Sequence, residues 1–212
     1  MSSNYDAKSN TQRCPFYEKA GACRHGSKCV RVHNKPTSSK TVVFWKLFTN
    51  PGVKDAAVEN LNKEAENEVK YKAKIHVPDF VPTGYMTKEE IDKYVDELYA
   101  DLSVELAKYG KVKYIAICGN KNQHLTGNVY VKFATEEAAQ KCYSECNTRW
   151  YDGRPLFCEF SPVVEFDRAS CKDFMLSGSC ERGHLCNFWH LKMPSKSLWL
   201  RCEGAKLSSA KS

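Results

Sequence analysis

Short apolar runs separated by helical segments make up the middle of the chain. β-Branched and aromatic residues fill residues 41–47, and further apolar runs lie at 111–118, 127–133 and 154–160. Runs of this length and composition are typical of strands. One helix is predicted between the first and second runs, and another, over 135–147, follows the third run. The order β-α-β-β-α-β indicates an α+β domain with the ferredoxin-like arrangement.

The first predicted helix begins with a capping sequence. Thr87 has the side chain of an N-cap, and Glu90 stands three residues later, as a capping box requires. Helical periodicity continues to Gly110, a residue typical of helix ends. The apolar face consists of Ile91, Val95, Leu98, Leu102 and Leu106. The opposite face is acidic, which ordinarily indicates solvation, and consists of Asp92, Asp96, Glu97, Asp101 and Glu105.

Residues 50–85 interrupt this alternation of strands and helices. They are rich in charge, poor in apolar periodicity and contain Pro51, Pro78 and Pro82. A segment of this composition buries too little apolar surface to offset its conformational entropy. We therefore expect a long insertion in the middle domain, partly mobile.

A repeated spacing, Cys-x8-Cys-x5-Cys-x3-His, flanks the middle domain. The two copies consist of Cys14, Cys23, Cys29 and His33, and of Cys171, Cys180, Cys186 and His190. Three thiolates and one imidazole form a closed tetrahedral set for structural zinc, and segments this short need such a staple to fold. We predict two structural Zn2+ ions, one in each finger.

A disulfide framework is the alternative for these cysteines. It requires an oxidising compartment, which proteins usually reach with a secretory signal. The residues before Cys14 contain no apolar stretch of the kind that such signals need. No run approaches the roughly 18 apolar residues of a membrane span. We therefore expect a soluble intracellular protein with reduced cysteines and no membrane contact.

The charge and the ligand sets favour a binding protein over an enzyme. The net charge of +7 suits an anionic partner, and basic residues crowd both fingers. Both predicted zinc sites have four protein ligands, which leaves no open position for an activated water. No nucleophile, base and orienting group stand at a recognisable spacing.

The third predicted strand fits the RNA-recognition signature K/R-G-F/Y-G/A-F-V-x-F/Y only in part. The matching residues are Gly127, Tyr130, Val131 and Phe133. Thr126 replaces the basic first position, Asn128 replaces a stacking aromatic, and Val43 stands in the first strand where a ring is expected. Stacking contributes roughly 1–3 kcal/mol per base, so this sheet is poorly equipped to hold RNA. The predicted fold class is a degenerate RNA-recognition motif flanked by two Cys3His zinc fingers.

Five short segments carry a further resemblance. They are HNKPT, GNVYVKF, RWYDGRP, EFSPV and LCNFWH. In this order between two fingers, they resemble the family of the small subunit of the U2 auxiliary factor, including a closely similar related protein that acts on a different intron class. The resemblance implies a nuclear pre-mRNA splicing factor that recognises the AG of single-stranded RNA at the 3′ splice site.

The resemblance also implies a heterodimer with the large subunit. In that family the middle domain is a U2 auxiliary factor homology motif, which takes a tryptophan from a short basic peptide of the large subunit. Arg149 and Tyr151 match the family's Arg-x-Phe loop, and Trp150 matches a reciprocal tryptophan inserted into the partner. Tyr151 departs from the family's Phe, so its hydroxyl needs a hydrogen-bond partner or solvent. The acids expected to attract the peptide's basic residues are Asp92, Asp96, Glu97 and Asp101.

Rings and guanidinium groups in the fingers are candidates for contacting single-stranded RNA. The predicted set is Phe16, Tyr17, Arg24 and Arg31 in finger 1, and Phe174, Arg182 and Phe188 in finger 2. Phe16 and Phe174 are favoured for RNA, while some of the other rings are expected to cover zinc. The alternative function is a protein-binding scaffold in which the fingers only brace the middle domain.

These motifs divide the chain into five predicted segments. A disordered N-terminus at 1–12 precedes finger 1 at 13–36. The middle domain occupies 40–164 and contains the insertion. Finger 2 at 165–193 is followed by a C-terminal segment at 194–212.

Overall fold

A five-stranded antiparallel sheet forms the centre of the fold. The computed structural model describes residues 12–49 and 87–208, with side chains up to Cys202. The predicted insertion at 50–85 lies outside the described residues. The strands are β1 (Thr41–Phe44), β2 (Val112–Cys118), β3 (Val129–Phe133), β4 (Trp150–Tyr151), β5 (Arg154–Pro155), β6 (Cys158–Phe160) and β7 (Leu191–Lys192). The helices are α1 (Pro15–Ala20), α2 (Lys88–Ala107), α3 (Glu136–Cys146), α4 (Phe166–Ala169), α5 (Lys172–Ser177) and α6 (Lys196–Ser208).

The order of strands in the sheet is β6-β1-β3-β2-β7. The first four are the strands of the predicted β-α-β-β-α-β fold, and this fold class is confirmed. β7 comes from finger 2 and adds to β2, with Lys192 opposite Ile117 and Leu191 opposite Cys118. The sequence did not predict β7, because two residues are too few to show the alternation of a strand.

The predicted fourth strand, 154–160, divides into two elements. Asp152 and Gly153 have φ angles of 50° and 69°, as a type I′ turn requires, and they join β4 to β5 in a separate hairpin. Pro155 has no N–H to donate to a sheet ladder. Only β6 reaches the central sheet, where it pairs with β1.

α2 and α3 pack on one face of the sheet and enclose the main core. The capping box of α2 is confirmed: Thr87 Oγ1 accepts from the Glu90 N–H at 3.2 Å, and the Glu90 carboxylate accepts from the Thr87 N–H at 2.7 Å. Leu198 brings α6 to the same core. Among the described helices, none combines the length and the apolar character needed to cross a membrane.

The other face of the sheet is covered by the two fingers. Val43, Ala116 and Tyr130 lie on this face and are buried. Trp189 stacks on Tyr130 with ring centroids 4.2 Å apart and donates its indole N–H to the carbonyl of Ala20 at 2.9 Å. One side chain of finger 2 therefore contacts both the sheet and finger 1.

Gly21 allows finger 1 to approach the sheet this closely. Its φ is +71°, and a Cβ at this position would lie 2.7 Å from Cε1 of Tyr130. A larger residue would be strained in its backbone and would displace the tyrosine ring.

Two buried asparagines after β2 hold finger 2. Asn120 donates its Nδ2–H to the carbonyl of Phe188 and accepts the N–H of His190, both at 2.9 Å. Asn122 donates to the carbonyl of Cys186 at 2.7 Å. Buried backbone polar groups need partners, and these two amides supply them beside two of the predicted zinc ligands.

Replacing Trp189 by alanine is expected to destabilise the fold by about 3–5 kcal/mol, the usual cost of deleting a large buried ring. Chemical unfolding followed by circular dichroism in zinc-containing buffer measures this loss. Trp150→Ala is the matched control, because Trp150 is 69% exposed. It should change the free energy of unfolding by no more than about 0.5 kcal/mol. Equal losses in the two variants would contradict the role given to Trp189.

Candidate functional site

The eight predicted ligands form two compact clusters. In each, the four ligand atoms lie within 4.8 Å of one another. The Sγ atoms of Cys23 and Cys29 are 3.8 Å apart, and those of Cys171 and Cys180 are 3.7 Å apart. Tetrahedral zinc with Zn–S bonds of about 2.3 Å separates its sulfurs by about 3.8 Å. Both clusters are therefore compatible with zinc binding.

The histidine of each cluster can donate a lone pair to a metal ion. Nε2 of His33 and Nε2 of His190 are buried and have no hydrogen-bond partner among the residues that the structure describes. Burial lowers the pKa of both imidazoles, which favours the neutral form that binds metals. A metal ion at the centre of each cluster would supply the partner that each buried nitrogen lacks.

The two clusters share one local structure. The first cysteine of each precedes a short helix, α1 or α5, and a left-handed glycine ends that helix: Gly21 at φ 71° and Gly178 at φ 72°. A short 3-10 turn then leads to the third cysteine, over Gly26–Lys28 and Gly183–Leu185. Glycine adopts positive φ without steric strain, so it suits these helix ends. The repeat in the sequence is also a repeat in structure.

An aromatic ring stacks on the ligand histidine in both clusters. Tyr17 lies parallel to His33 with centroids 4.5 Å apart, and Phe174 lies parallel to His190 at 4.3 Å. Tyr17 is buried and Phe174 is half-buried. Both are predicted RNA-binding residues, and one face of each ring is covered by the histidine of its cluster.

Arg24 joins the two fingers. Its Nε donates to Oδ1 of Asn187 at 3.2 Å, and one Nη donates to the carbonyl of Leu185 at 2.9 Å. His124 lies at the same junction, where burial and then the charge of Arg24 lower its pKa to about 4. Sequence reasoning missed His124, because a single histidine in a loop has no distinguishing spacing.

The remaining predicted RNA-binding residues differ in exposure. Phe16 is 36% exposed, while Arg31 and Phe188 are half-buried. Arg182 donates to the carboxylate of Asp173 at 2.9 Å, and its guanidinium lies 5.8 Å from the centroid of the Phe188 ring. This is within the range of a cation–π contact. Contact of these residues with RNA stays a prediction.

The Arg149–Tyr151 loop, which includes the short strand β4, is fixed against α2. Arg149 forms an ion pair with Glu105 and donates to the hydroxyl of Tyr109 at 3.0 Å. Tyr151 donates its own hydroxyl to Oδ2 of Asp101 at 2.9 Å. The hydroxyl that distinguishes Tyr151 from phenylalanine therefore has a hydrogen-bond partner. Glu105 lies on the acidic face of the helix, and the sequence pattern does not predict its contact with Arg149.

The other residues predicted to bind a partner have separate surroundings. Trp150 is 69% exposed, and Asp92 is also exposed. Asp96 accepts the backbone N–H of Ser195 at 2.6 Å, just before α6. Glu97 lies 3.8 Å from a lysine one turn earlier. Of the four predicted acids, Asp101 is the one that contacts the Arg149–Tyr151 loop. Asp96 is instead hydrogen-bonded to the backbone just before α6.

Comparisons with known proteins agree with this geometry. Residues 98–157 match the RNA recognition motif, and residues 9–35 match the zinc finger of the C-x8-C-x5-C-x3-H type. The chain is 37% identical over 199 residues to the splicing factor U2af 38 kDa subunit of Drosophila melanogaster, covering 93% of this chain and 68% of that protein. It is 37% identical over 198 residues to the splicing factor U2AF 23 kDa subunit of Schizosaccharomyces pombe, covering 93% and 79%. The chain belongs to the U2AF small-subunit family.

Membership of the U2AF small-subunit family gives the chain a role as a splicing factor with RNA-binding modules. The splicing factor U2AF 26 kDa subunit of Homo sapiens is also similar, at 35% identity over 93% of this chain and 80% of that protein. The predicted family is therefore confirmed. The finger match covers the first cluster, and the second cluster of this family member repeats its ligand spacing and geometry.

The carboxyl group of Glu105, which pairs with Arg149, has a measurable pKa. Hydrogen bonds from Lys108 and then Arg149 lower the pKa of Glu105 from 4.5 to about 2. Because the folded pKa lies below the unfolded one, the stabilisation is complete above about pH 4.5 and is lost as the pH falls towards 2. Arg149→Ala should raise the pKa of Glu105 part of the way towards 4.5. Lys108 should still keep this pKa below 4.5. Carbon-13 NMR titration of the carboxyl group measures the shift.

Lys93→Ala is the control for this titration, since Lys93 pairs with Glu97 instead. It should leave the pKa of Glu105 unchanged. An unchanged value in Arg149→Ala would show that the ion pair does not form in solution.

Proposed function

We propose that this U2AF small-subunit relative recognises the AG dinucleotide of single-stranded pre-mRNA at the 3′ splice site with its paired zinc fingers. It forms a heterodimer with a large subunit, acts in the nucleus and is not an enzyme. The observation that carries the RNA part is the stacking of Trp189 on Tyr130. This contact closes the sheet face on which RNA-recognition motifs stack bases, so the fingers are the surface left for RNA.

Two Zn2+ ions would hold the fingers in shape. Their ligands are Cys14, Cys23, Cys29 and His33, and Cys171, Cys180, Cys186 and His190. Four protein ligands would complete each coordination sphere, so each ion would contribute folding free energy and would have no open position for catalysis.

The arrangement of the two fingers supports a shared RNA site. Hydrogen bonds from Arg24 connect finger 1 to finger 2. A short RNA could therefore contact both fingers without a rearrangement of either. Phe16 presents a partly exposed ring in finger 1, and Arg182 stands beside Phe188 in finger 2. Rings and guanidinium planes hold unstacked bases, and basic side chains attract phosphates.

The loop from Arg149 to Tyr151 supports the heterodimer. A tryptophan of the large subunit would pack between α2 and the Tyr151 ring, whose position is fixed by Asp101. Asp101 places negative charge beside this position, and Asp92 and Glu97 are exposed on the same helix, which suits a basic peptide. The exposed ring of Trp150 is available for insertion into the partner.

A protein-binding scaffold is the second candidate function. Arg24 and Arg182 already donate to protein groups, and Tyr17 and Phe174 already cover ligand histidines. The same contacts would be present if the fingers only braced the middle domain. RNA binding distinguishes the two functions.

Fluorescence anisotropy of the zinc-loaded chain, bound to a tryptophan-containing large-subunit peptide, tests RNA recognition. Short RNAs ending in UAG should bind about tenfold more tightly than those ending in UAC at equal salt, because a mispaired base edge costs about 1–3 kcal/mol. Phe16→Ala should remove most of this preference.

Phe157→Ala is the control for the RNA measurement, since Phe157 is 63% exposed and lies just before β6, outside the fingers. It should leave the preference intact. Equal affinities for UAG and UAC would favour the scaffold.

The partner site is tested by calorimetric titration with the same large-subunit peptide. Tyr151→Ala should weaken binding by at least about tenfold, because it removes the ring that packs on the peptide's tryptophan. Tyr151→Phe keeps the ring and should retain most of the affinity. If Tyr151→Ala binds as tightly as the parent chain, the peptide does not occupy this loop.

A further inference from the structure

The outer edge of β2 is only partly covered. In the described part of the chain, the strand paired on this side is β7, and its two residues meet Ile117 and Cys118 alone. β2 begins at Val112, so its first half extends beyond β7. The uncovered edge of a strand is a template for pairing with another chain.

Backbone directions identify the groups along this edge. Cys118 donates its N–H inward, towards β3, while Gly119 donates outward to the carbonyl of His190 at 2.8 Å. Successive residues of an antiparallel strand direct these groups to alternate edges. The backbone N–H and C=O groups of Ile117 and Ile115 are therefore directed to the outer edge, as those of Gly119 are. β7 ends opposite Ile117. In this register Pro194 would fall opposite Ile115, but it has no N–H to donate, and β7 ends before it. The N–H and C=O of Ile115 are therefore the groups that a strand added beyond β7 would pair with.

This uncovered edge borders an apolar groove of about 570 Å³. Tyr114 and Ile115 of β2 line it, together with Leu176 of α5, Met193 after β7 and Trp199 of α6. Leu176 is 89% exposed, Tyr114 and Met193 are each 58% exposed, and Trp199 is 42% exposed. The side chains of a strand added to β2 would lie alternately on the two faces of the sheet, where they would contact these groove residues.

The residue types in this groove indicate a protein ligand. Methionine and aromatic side chains are enriched in interfaces, and methionine adapts its shape to an apolar partner. Contiguous exposed apolar groups of this kind mark interaction sites. RNA fits less well, because Leu176 and Met193 offer no plane for stacking bases. A nucleic-acid backbone also lacks the N–H and C=O groups that continue a ladder.

The rim of the groove is mainly basic. Lys113 and Lys172 line it with one acid, Asp167. Nζ of Lys132 lies 6.0 Å from the centroid of the Tyr114 ring. Acidic residues flanking an apolar segment would complement this charge. A second copy paired edge to edge would instead bring the same lysines together, and like charges oppose that arrangement.

We propose that this chain binds an extended segment of a partner protein by strand addition to the outer edge of β2. The segment carries apolar side chains at alternate positions, seated against Tyr114, Leu176 and Trp199. Acidic residues flank these positions and face the lysines of the rim. This surface is separate from both the fingers' ligand clusters and the Arg149–Tyr151 loop, so the proposal goes beyond the function proposed above.

A random dodecapeptide display library, selected on the zinc-loaded full chain, tests this proposal. The library samples the whole chemical class, so the test does not depend on guessing one ligand. Enriched peptides should show alternating apolar residues with acidic flanks. Their affinity should fall at least about tenfold for Leu176→Asp and for Trp199→Ala, because each change removes apolar contact and the first adds a repelling charge.

Phe157→Asp is the matched control, because Phe157 is equally an exposed apolar residue but lies near the opposite edge of the sheet. It should leave peptide binding unchanged. Circular dichroism and zinc content of each variant confirm that the fold is intact. In hydrogen-exchange NMR, a bound peptide should protect the amide of Ile115, and N-methylation of the peptide at alternate residues should abolish binding.

Four results would overturn the proposal. The first is a library that yields no peptide whose binding depends on Leu176 or Trp199. The second is groove-dependent binding that leaves the exchange of the Ile115 amide unchanged. The third is displacement of the peptides by short RNA together with loss of RNA affinity in Tyr114→Ala. The fourth is concentration-dependent dimerisation that Leu176→Asp abolishes, which would assign the edge to a second copy.

Discussion

Trp189 lies flat on Tyr130 at the centre of one sheet face and donates its indole N–H to the carbonyl of Ala20. This contact buries a ring that RNA-recognition motifs use for bases, and it brings finger 1 and finger 2 onto the same surface. The cost of leaving an indole N–H unpaired in the interior is avoided because finger 1 supplies the acceptor. The closed sheet face, the neighbouring fingers and the added strand β7 all depend on this arrangement.

The proposed sites for RNA and for the large-subunit peptide lie on different sides of the molecule. The fingers cover one face of the sheet, whereas α2 and the Arg149–Tyr151 loop lie on the helical side. A large-subunit peptide and an RNA can therefore be bound together without competing for one surface. Finger 2 also supplies the two residues of β7 that extend the sheet beyond β2.

Signals within short segments of the sequence predicted the capping box at Thr87, the order of the strands along the chain and the two cysteine and histidine groups that the structure brings together. The division of 154–160 was also present in the sequence, as the turn residues Asp152 and Gly153 followed by Pro155. The docking of Trp189 was not predictable, because it depends on packing between segments far apart in the chain. Asn120 and Asn122 have no pattern of their own, since an asparagine is distinguished only by the backbone groups it meets.

The most direct test of this account is photo-cross-linking of a 4-thiouridine RNA containing UAG to the zinc-loaded heterodimer, with the cross-linked residues identified by mass spectrometry. The account predicts cross-links in both fingers, at residues such as Phe16 and Phe188, and none in β1 or β3. Cross-links to Val43 or Tyr130 would show that the fingers leave the sheet when RNA binds. That result would contradict the claim that Trp189 closes this face.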